Sequence, residues 1–165
     1  MTEEKKIHKY VNDLGIAAYM LMHGYQVVGK KAKSIYFEVH SQAESDDFDN
    51  LVLDYQPPND FYTFDSCLMF LKKINEYIPK NLDEKTHKCV NDLGVAAYLL
   101  MHEYRKPNSI GLKAIGRQGK NVWFQHPEGA DPEFKRLTFE YYTSQFATYD
   151  ANLMSLKKID EYMPK

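Results

Sequence analysis

The sequence predicts an α+β fold made of two tandem homologous small domains, and three observations carry that expectation. Residues 8–25, HKYVNDLGIAAYMLMHGY, return as residues 87–104, HKCVNDLGVAAYLLMHEY, with only four positions changed. The closing stretches match as well, with FDSCLMFLKKINEYIPK at 64–80 facing YDANLMSLKKIDEYMPK at 149–165. Within each copy the apolar residues recur at helical spacing, then alternate, then return to helical spacing. That order predicts helices set against a short antiparallel sheet. A proline and a polar run around residues 79–85 divide the chain into copy one, 1–80, and copy two, 81–165. Only two copies are present and each mixes helix with strand, so the expectation is a pseudo-two-fold pair of domains and not a solenoid.

Each copy reads in the order β-α-β-β-α-α. His8, Lys9, Tyr10 and Val11 alternate as a short strand, and Asn12-Asp13 follow as N-cap residues whose short side chains accept from free backbone N–H groups. Leu14, Ala17, Ala18, Leu21 and Tyr25 then share one helical face. Gly24 suits the left-handed residue that ends many helices, whereas its counterpart Glu103 requires copy two to end that helix differently. Residues 26–28 and 34–39 form a hairpin around 29–33, repeated as 113–115 and 121–125 around 116–120. Phe48, Leu51, Val52 and Tyr55 fit a helix, while Leu51, Leu53 and Tyr55 also fit a strand. Asp131-Pro132-Glu133 in copy two, an N-cap with proline in the first turn, favours the helix. Asp65 and Asp150 are expected to cap the last helix, whose copy-one stripe is Leu68, Leu71, Ile74 and Ile78 and which Pro79 and Pro164 stop. Copy two has an insertion at 105–112, with Pro107, Asn108 and Gly111, that reads as a longer loop.

The hydrophobic fraction of 44% and aromatic fraction of 14%, with 13 Tyr and 9 Phe, belong to a folded chain. A net charge of −2 gives no global field for nucleic acid or an anionic membrane, although local patches remain open. Cys67 and Cys89 occupy inequivalent positions, which predicts free thiols rather than a disulfide or a metal site. The opening residues 1–6 lead into no apolar run, and no segment approaches the ~20 apolar residues of a membrane helix. The expectation is a soluble, cytoplasmic protein that needs no cofactor, no metal and no membrane.

The stretches 13–25, 33–37 and 64–71, with their counterparts in copy two, combine a capped Asp-Leu-x-x-Ala-x-x-Leu helix, a lysine-flanked hairpin bearing Tyr-Phe, and a Phe-Asp opening to the last helix. This combination resembles a small domain-of-unknown-function family found in bacteriophage and bacterial genomes. The resemblance implies a phage or mobile-element origin, hence a host cytoplasm, and no catalytic residues. Glu103 and the insertion in copy two depart from that pattern.

Candidate chemistry has a structural explanation at most positions. His23 and His102 recur in the last turn of the first helix, where the macrodipole favours imidazole, and no ligand-spaced partner stands beside either. Asp65 and Asp150 are read as caps rather than as a carboxylate pair. Lys72 with Glu76 and Lys157 with Glu161 have the spacing of surface ion pairs. The acidic run Asp46-Asp47-Phe48-Asp49 suits a helix N-terminus and equally a negative face for a basic partner. The hairpins are the most suggestive surface: Lys30, Lys31 and Lys33 lead into Tyr36, and Arg117 and Lys120 into Trp123. Cations beside ring-bearing strands serve single-stranded nucleic-acid binders, and lysines also protect exposed strand edges. The leading expectation is a non-enzymatic binding module, a phage-type accessory protein engaging a host or phage protein. The alternative is a single-stranded DNA- or RNA-binding protein using these seven residues. Further homo-oligomerisation is left open by the sequence.

Overall fold

The computed structural model describes residues 6–74, 76 and 80–164. Copy one contributes β1 (Ile7–Val11), α1 (Leu14–Met22), β2 (Val27–Lys31), β3 (Ser34–Val39), α2 (Gln42–Asp54) and α3 (Asp60–Lys73). Copy two repeats the order as β4 (His87–Val90), α4 (Leu93–Arg105), β5 (Lys113–Gln118), β6 (Asn121–Gln125), α5 (Asp131–Tyr142) and α6 (Gln145–Lys158). The strands make two antiparallel three-stranded sheets, ordered β1-β3-β2 and β4-β6-β5. The chain is thus α+β with two similar halves, and the middle segments are helices.

Compact units and sequence copies divide the chain differently. Met1–Tyr62 groups with Thr148–Lys165 as unit 1, and Thr63–Ala147 forms unit 2. Each copy's last helix therefore begins in one unit and runs mostly in the other.

In unit 1, Ile35, Phe37 and Val39 turn one face of β3 inward, alternating with more exposed residues. Ala17 and Ala18 of α1 and Phe48 of α2 complete that core, the two alanines leaving room for close approach. Helix α6 joins it through buried Tyr149, Leu153 and Leu156. The Tyr149 ring lies 5.3 Å from that of Phe61, and its hydroxyl donates to the Gly15 carbonyl at 3.3 Å and is bonded to the Tyr55 hydroxyl. Beyond α6 the chain runs beside β2, where Lys30 and Tyr162 exchange backbone hydrogen bonds of 2.7 and 2.9 Å. Glycine at position 29 is required by this approach, since a Cβ there would lie 2.7 Å from Pro164 Cδ and 2.9 Å from the Tyr162 carbonyl.

Unit 2 repeats the plan with α3. Val122 and Phe124 of β6 pack with Ala96, Ala97 and Leu99 of α4 and Leu137 of α5, and buried Leu68 and Leu71 come from α3. Phe64, at the position of Tyr149, stacks 6.2 Å from Tyr141 and lies 5.4 Å from Phe146. After α3, Glu76 bridges to Arg117 of β5.

Several boundaries differ from the sequence reading. Asp13 and Asp92 do cap their helices, but Asp65 and Asp150 do not, because α3 and α6 start five residues earlier and hold them in the second turn. Asn59 caps α3 instead, its carboxamide oxygen accepting from Phe61 N at 2.9 Å. The start of helix α2 is capped twice: the Ser41 hydroxyl accepts from Glu44 N, and the Glu44 carboxylate accepts from His40 N at 2.7 Å. Asp131 is the first residue of α5 rather than its cap, and it pairs with Lys88 at 3.0 Å. The last helices stop at Lys73 and Lys158, short of the prolines, because the following residues are drawn into the β2 and β5 bridges. Glu161 therefore accepts from Ala32 N at 2.8 Å and forms no helical pair with Lys157. Glu76 likewise lies beyond α3, which ends at Lys73. Ile78 and Pro79 lie outside the described residues. The hairpins close in two-residue turns, Ala32-Lys33 and Gly119-Lys120, each following a bulge in its first strand.

Two substitutions probe the α6 attachment. Gly29→Ala should destabilise the protein by about 1–3 kcal/mol, the usual cost of forcing a methyl into a filled site. Tyr149→Phe should cost about 1–3 kcal/mol by removing the buried hydroxyl that bonds the Tyr55 hydroxyl and the Gly15 carbonyl. Urea unfolding of both variants checks these losses.

Candidate functional site

The seven hairpin residues are held by two separate units. In unit 1 the Lys30 ammonium donates at 2.9 Å to the Leu156 carbonyl, in the last turn of α6, and at 3.3 Å to the Ile159 carbonyl just beyond it. In unit 2 the Arg117 guanidinium donates to the Lys72 carbonyl of α3 at 3.2 Å and to the Gly119 carbonyl at 2.9 Å. These equivalent cations are thus tied to the ends of the last helices. Lys31, Lys33 and Lys120 stand exposed at the turns.

Tyr36 is half-buried on the outer face of its sheet, beside Tyr10 at 5.7 Å, and Tyr10 is 59% exposed. Trp123 is the half-buried counterpart in unit 2, set opposite exposed Cys89 in the β4–β6 register. It lines a cleft of about 500 Å³ with Lys85, His87 and Asp131. Its indole Nε1 has no hydrogen-bond partner among the described residues.

A second cleft, about 460 Å³ in unit 1, is lined by Glu44, Asp47, Asn50, Leu51 and Asp54 of α2 with His23, Gly24 and Tyr25 from the end of α1. Three carboxylates make it acidic. Tyr25 packs edge-on to Phe48 at 5.2 Å and its hydroxyl donates to the Glu44 carbonyl at 3.4 Å. Burial raises the Tyr25 pKa first, and the Asp47 and Glu44 charges add to the rise. The equivalent stretch of α5 differs in one decisive residue. Arg136 stands where α2 has Asn50, and its guanidinium bonds Glu133 at 2.9 Å and Glu140 at 2.8 Å. Glu133 and Glu140 are the counterparts of Asp47 and Asp54, which have no ion-pair partner among the described residues.

The ends of α1 and α4 account for other differences between the clefts. Gly24 takes φ +89° and turns the chain, as expected from its sequence position. Helix α4 instead continues to Arg105, and the Glu103 carboxylate accepts from Asn108, Ile110 and Gly111 backbone N–H groups at 2.7–3.1 Å, folding the insertion loop. Tyr104 is consequently exposed where Tyr25 is half-buried. His23 and His102 each pack edge-on to the tyrosine four residues earlier, at 4.6 Å. Tyr98 donates to Glu140, and burial followed by that bond raises its pKa.

Both cysteines are free, and burial pushes the Cys67 thiol up to about 11. Among the described residues, no cluster of three or more His, Cys, Asp or Glu is placed to hold a metal ion. No described helix is long and apolar enough to cross a membrane. In comparison with known proteins, no family model, curated protein or solved structure matches this chain.

The hairpin cations were visible in the sequence, but the use of Lys30 and Arg117 at helix ends depends on segments far along the chain, 126 and 45 residues away at Leu156 and Lys72. The contrast between Asn50 and Arg136 was accessible from the aligned Phe48 and Phe134, because Asp47-Asn50-Asp54 and Glu133-Arg136-Glu140 have identical spacing.

His102 supplies a pH test. Burial lowers its folded-state pKa from 6.5, with Arg136 adding to the drop and Glu140 opposing it. Below 6.5 the unfolded chain then binds more protons than the folded one, so stability should fall as pH drops through that value. Melting temperatures followed from neutral to mildly acidic pH should show that fall, and His102→Gln should flatten it.

Proposed function

We propose that this chain is a non-enzymatic binding module that engages a protein partner. The observation that carries this reading is a repeated pair of solvent-facing apolar side chains. Leu53 on α2 is 65% exposed and Phe139, its counterpart on α5, is 75% exposed. A surface helix ordinarily turns polar residues outward, and exposed apolar groups that recur at one position are suited to anchoring an interface. Tyr104 and Tyr142 add exposed rings in unit 2. The internal bonding of Lys30 and Arg117 supports the same choice, since it removes two of the five cations available to phosphate. The resemblance to a family of phage and bacterial genomes points to a phage-type accessory protein with a host or phage protein as partner.

A second reading rests on the Tyr10–Tyr36 pair, an exposed ring platform beside Lys31 and Lys33 on which bases of single-stranded DNA or RNA can stack.

Two experiments separate the readings. Leu53→Ser with Phe139→Ser should lower partner capture about tenfold or more, as expected for lost anchors, and should leave the fold intact. Capture is measured against lysate of the cognate host, with unchanged melting temperature as the folding control. In parallel, anisotropy of a labelled single-stranded oligonucleotide should show no binding at about 50 mM salt. Salt-sensitive binding that survives the serine pair and disappears in Lys31→Glu/Lys33→Glu/Lys120→Glu would overturn the protein-binding reading.

A further inference from the structure

The segment that follows α6 occupies the edge of β2 in unit 1 and meets features that fit it closely. Lys30 N donates to the Tyr162 carbonyl at 2.7 Å and Tyr162 N donates to the Lys30 carbonyl at 2.9 Å, one rung of an antiparallel ladder. The Glu161 carboxylate accepts from Ala32 N at 2.8 Å, and Ala32 holds the left-handed φ of +52° at the hairpin turn. Pro164 rests on buried Gly29, where a Cβ would lie 2.7 Å from the ring Cδ. Exposed Lys31 and Lys33 set positive charge at this turn, and Asp160 and Glu161 bring negative charge to it. An extended Glu-Tyr-x-Pro stretch is thereby matched in backbone, charge and shape.

This seat is more specific than the fastening of α6 requires. The Lys30 ammonium already holds the Leu156 and Ile159 carbonyls, and Tyr149, Leu153 and Leu156 bury the helix itself. Copy one carries the same Glu-Tyr-x-Pro sequence from Glu76, and there the glutamate itself bridges Arg117 of β5 in the parallel sense. A last helix is thus tied to its hairpin without the antiparallel seat. The occupant is also lightly held. Residues 160–163 are all exposed, Tyr162 by 46% and Met163 by 52%, and among the described residues a single bridge ties them to β2. Segments with few buried contacts open at the lowest free-energy cost in a fold. Their release here bares a strand edge, a template on which another extended chain can pair.

We propose that the β2 edge is the docking site for an extended Glu-Tyr-x-Pro segment of the protein partner, and that residues 161–164 are its resident substitute. The partner strand pairs with Lys30, sets its carboxylate on Ala32 N and lays its proline on Gly29. The proposal rests on the protein-binding reading above and adds the chemistry of one contact. Tethering beside the site gives the resident segment an effective concentration of roughly millimolar order, so it keeps the edge closed. A partner segment therefore binds in proportion to the open fraction, and any change that frees residues 161–164 strengthens its binding.

The test titrates a labelled peptide of residues 159–165, IDEYMPK, into the full chain and into the full-length variant Glu161→Ala/Tyr162→Pro. The double variant removes the carboxylate and the N–H that hold the resident segment and leaves β2 untouched. It should bind the peptide about tenfold or more tightly than the unaltered chain, with amide shifts at residues 27–33. Glu161→Ala alone, with a melting temperature close to that of the unaltered chain, should give an intermediate gain. A scrambled peptide of the same composition should bind several-fold more weakly. Partner capture from host lysate should rise in the double variant and be competed away by the peptide. Equal affinity for the scrambled peptide, no gain in either variant, shifts away from residues 27–33, or capture indifferent to the peptide would each overturn the proposal. Concentration-dependent self-association of the double variant, reversed by the peptide, would assign the edge to a second copy of the chain and overturn it equally. Should the edge fail while Leu53→Ser/Phe139→Ser still lowers partner capture, the protein-binding function stands without this contact. Loss of both results would remove the function as well.

Discussion

The fold depends on how each last helix is fastened at its C-terminal end. Helix α6 ends with carbonyls that its own backbone cannot satisfy, and the Lys30 ammonium of the first hairpin supplies the donor. The following residues extend along β2, and Gly29 allows Pro164 and Tyr162 to approach closer than any side chain would permit. Arg117 plays the corresponding part for α3 in unit 2. One compact unit is thus built from the first five elements of a copy and the closing helix of the other. The chain resembles the product of domain exchange, a low-cost route by which identical elements trade places between protomers. Here both partners lie on one polypeptide.

Duplication has left the core nearly unchanged and let the surface diverge. Lys9 and Lys88 sit over Phe48 and Phe134 at 5.9 and 5.8 Å, although one pairs with Asp49 and the other with Asp131. At the end of the first helix a single change, Gly24 against Glu103, decides whether the chain turns at once or runs on into a loop organised by a carboxylate. Along the middle helix, Asn50 against Arg136 decides whether a pair of acids stays open or is bridged. Each substitution alters what the unit presents to solvent while most buried positions keep their residue types, with Val39 against His126 an exception.

The α+β class, the repeat and the element order were legible because periodicity and short-range capping encode them. Asp13, Asp92 and Gly24 act within four residues of their own positions, and their roles could be read directly. Asp65 and Asp150 look equally like caps, but Phe61 and Phe146 are drawn into the units' ring clusters and extend the helices past them. Pro164 looks like a helix stop, yet it is a packing surface for Gly29. The hairpin cations look like a phosphate site, yet two of them serve helix ends contributed by the other copy. In every such case the deciding partner lies in the opposite half of the sequence or in a tertiary cluster, beyond the reach of local pattern. The candidate binding features stood between these extremes: the acidic run was visible, while the open pair of acids emerged from setting the two copies side by side.

The exchange of last helices is tested most directly by hydrogen exchange on a Leu156→Val variant, which trims one buried side chain of α6 without removing the helix. Loss of protection in α1, β2 and β3 of copy one, with α4, β5 and β6 of copy two unaffected, is the predicted result. Loss of protection confined to α4, β5 and β6 would mean that α6 packs with its own copy, and would contradict the account.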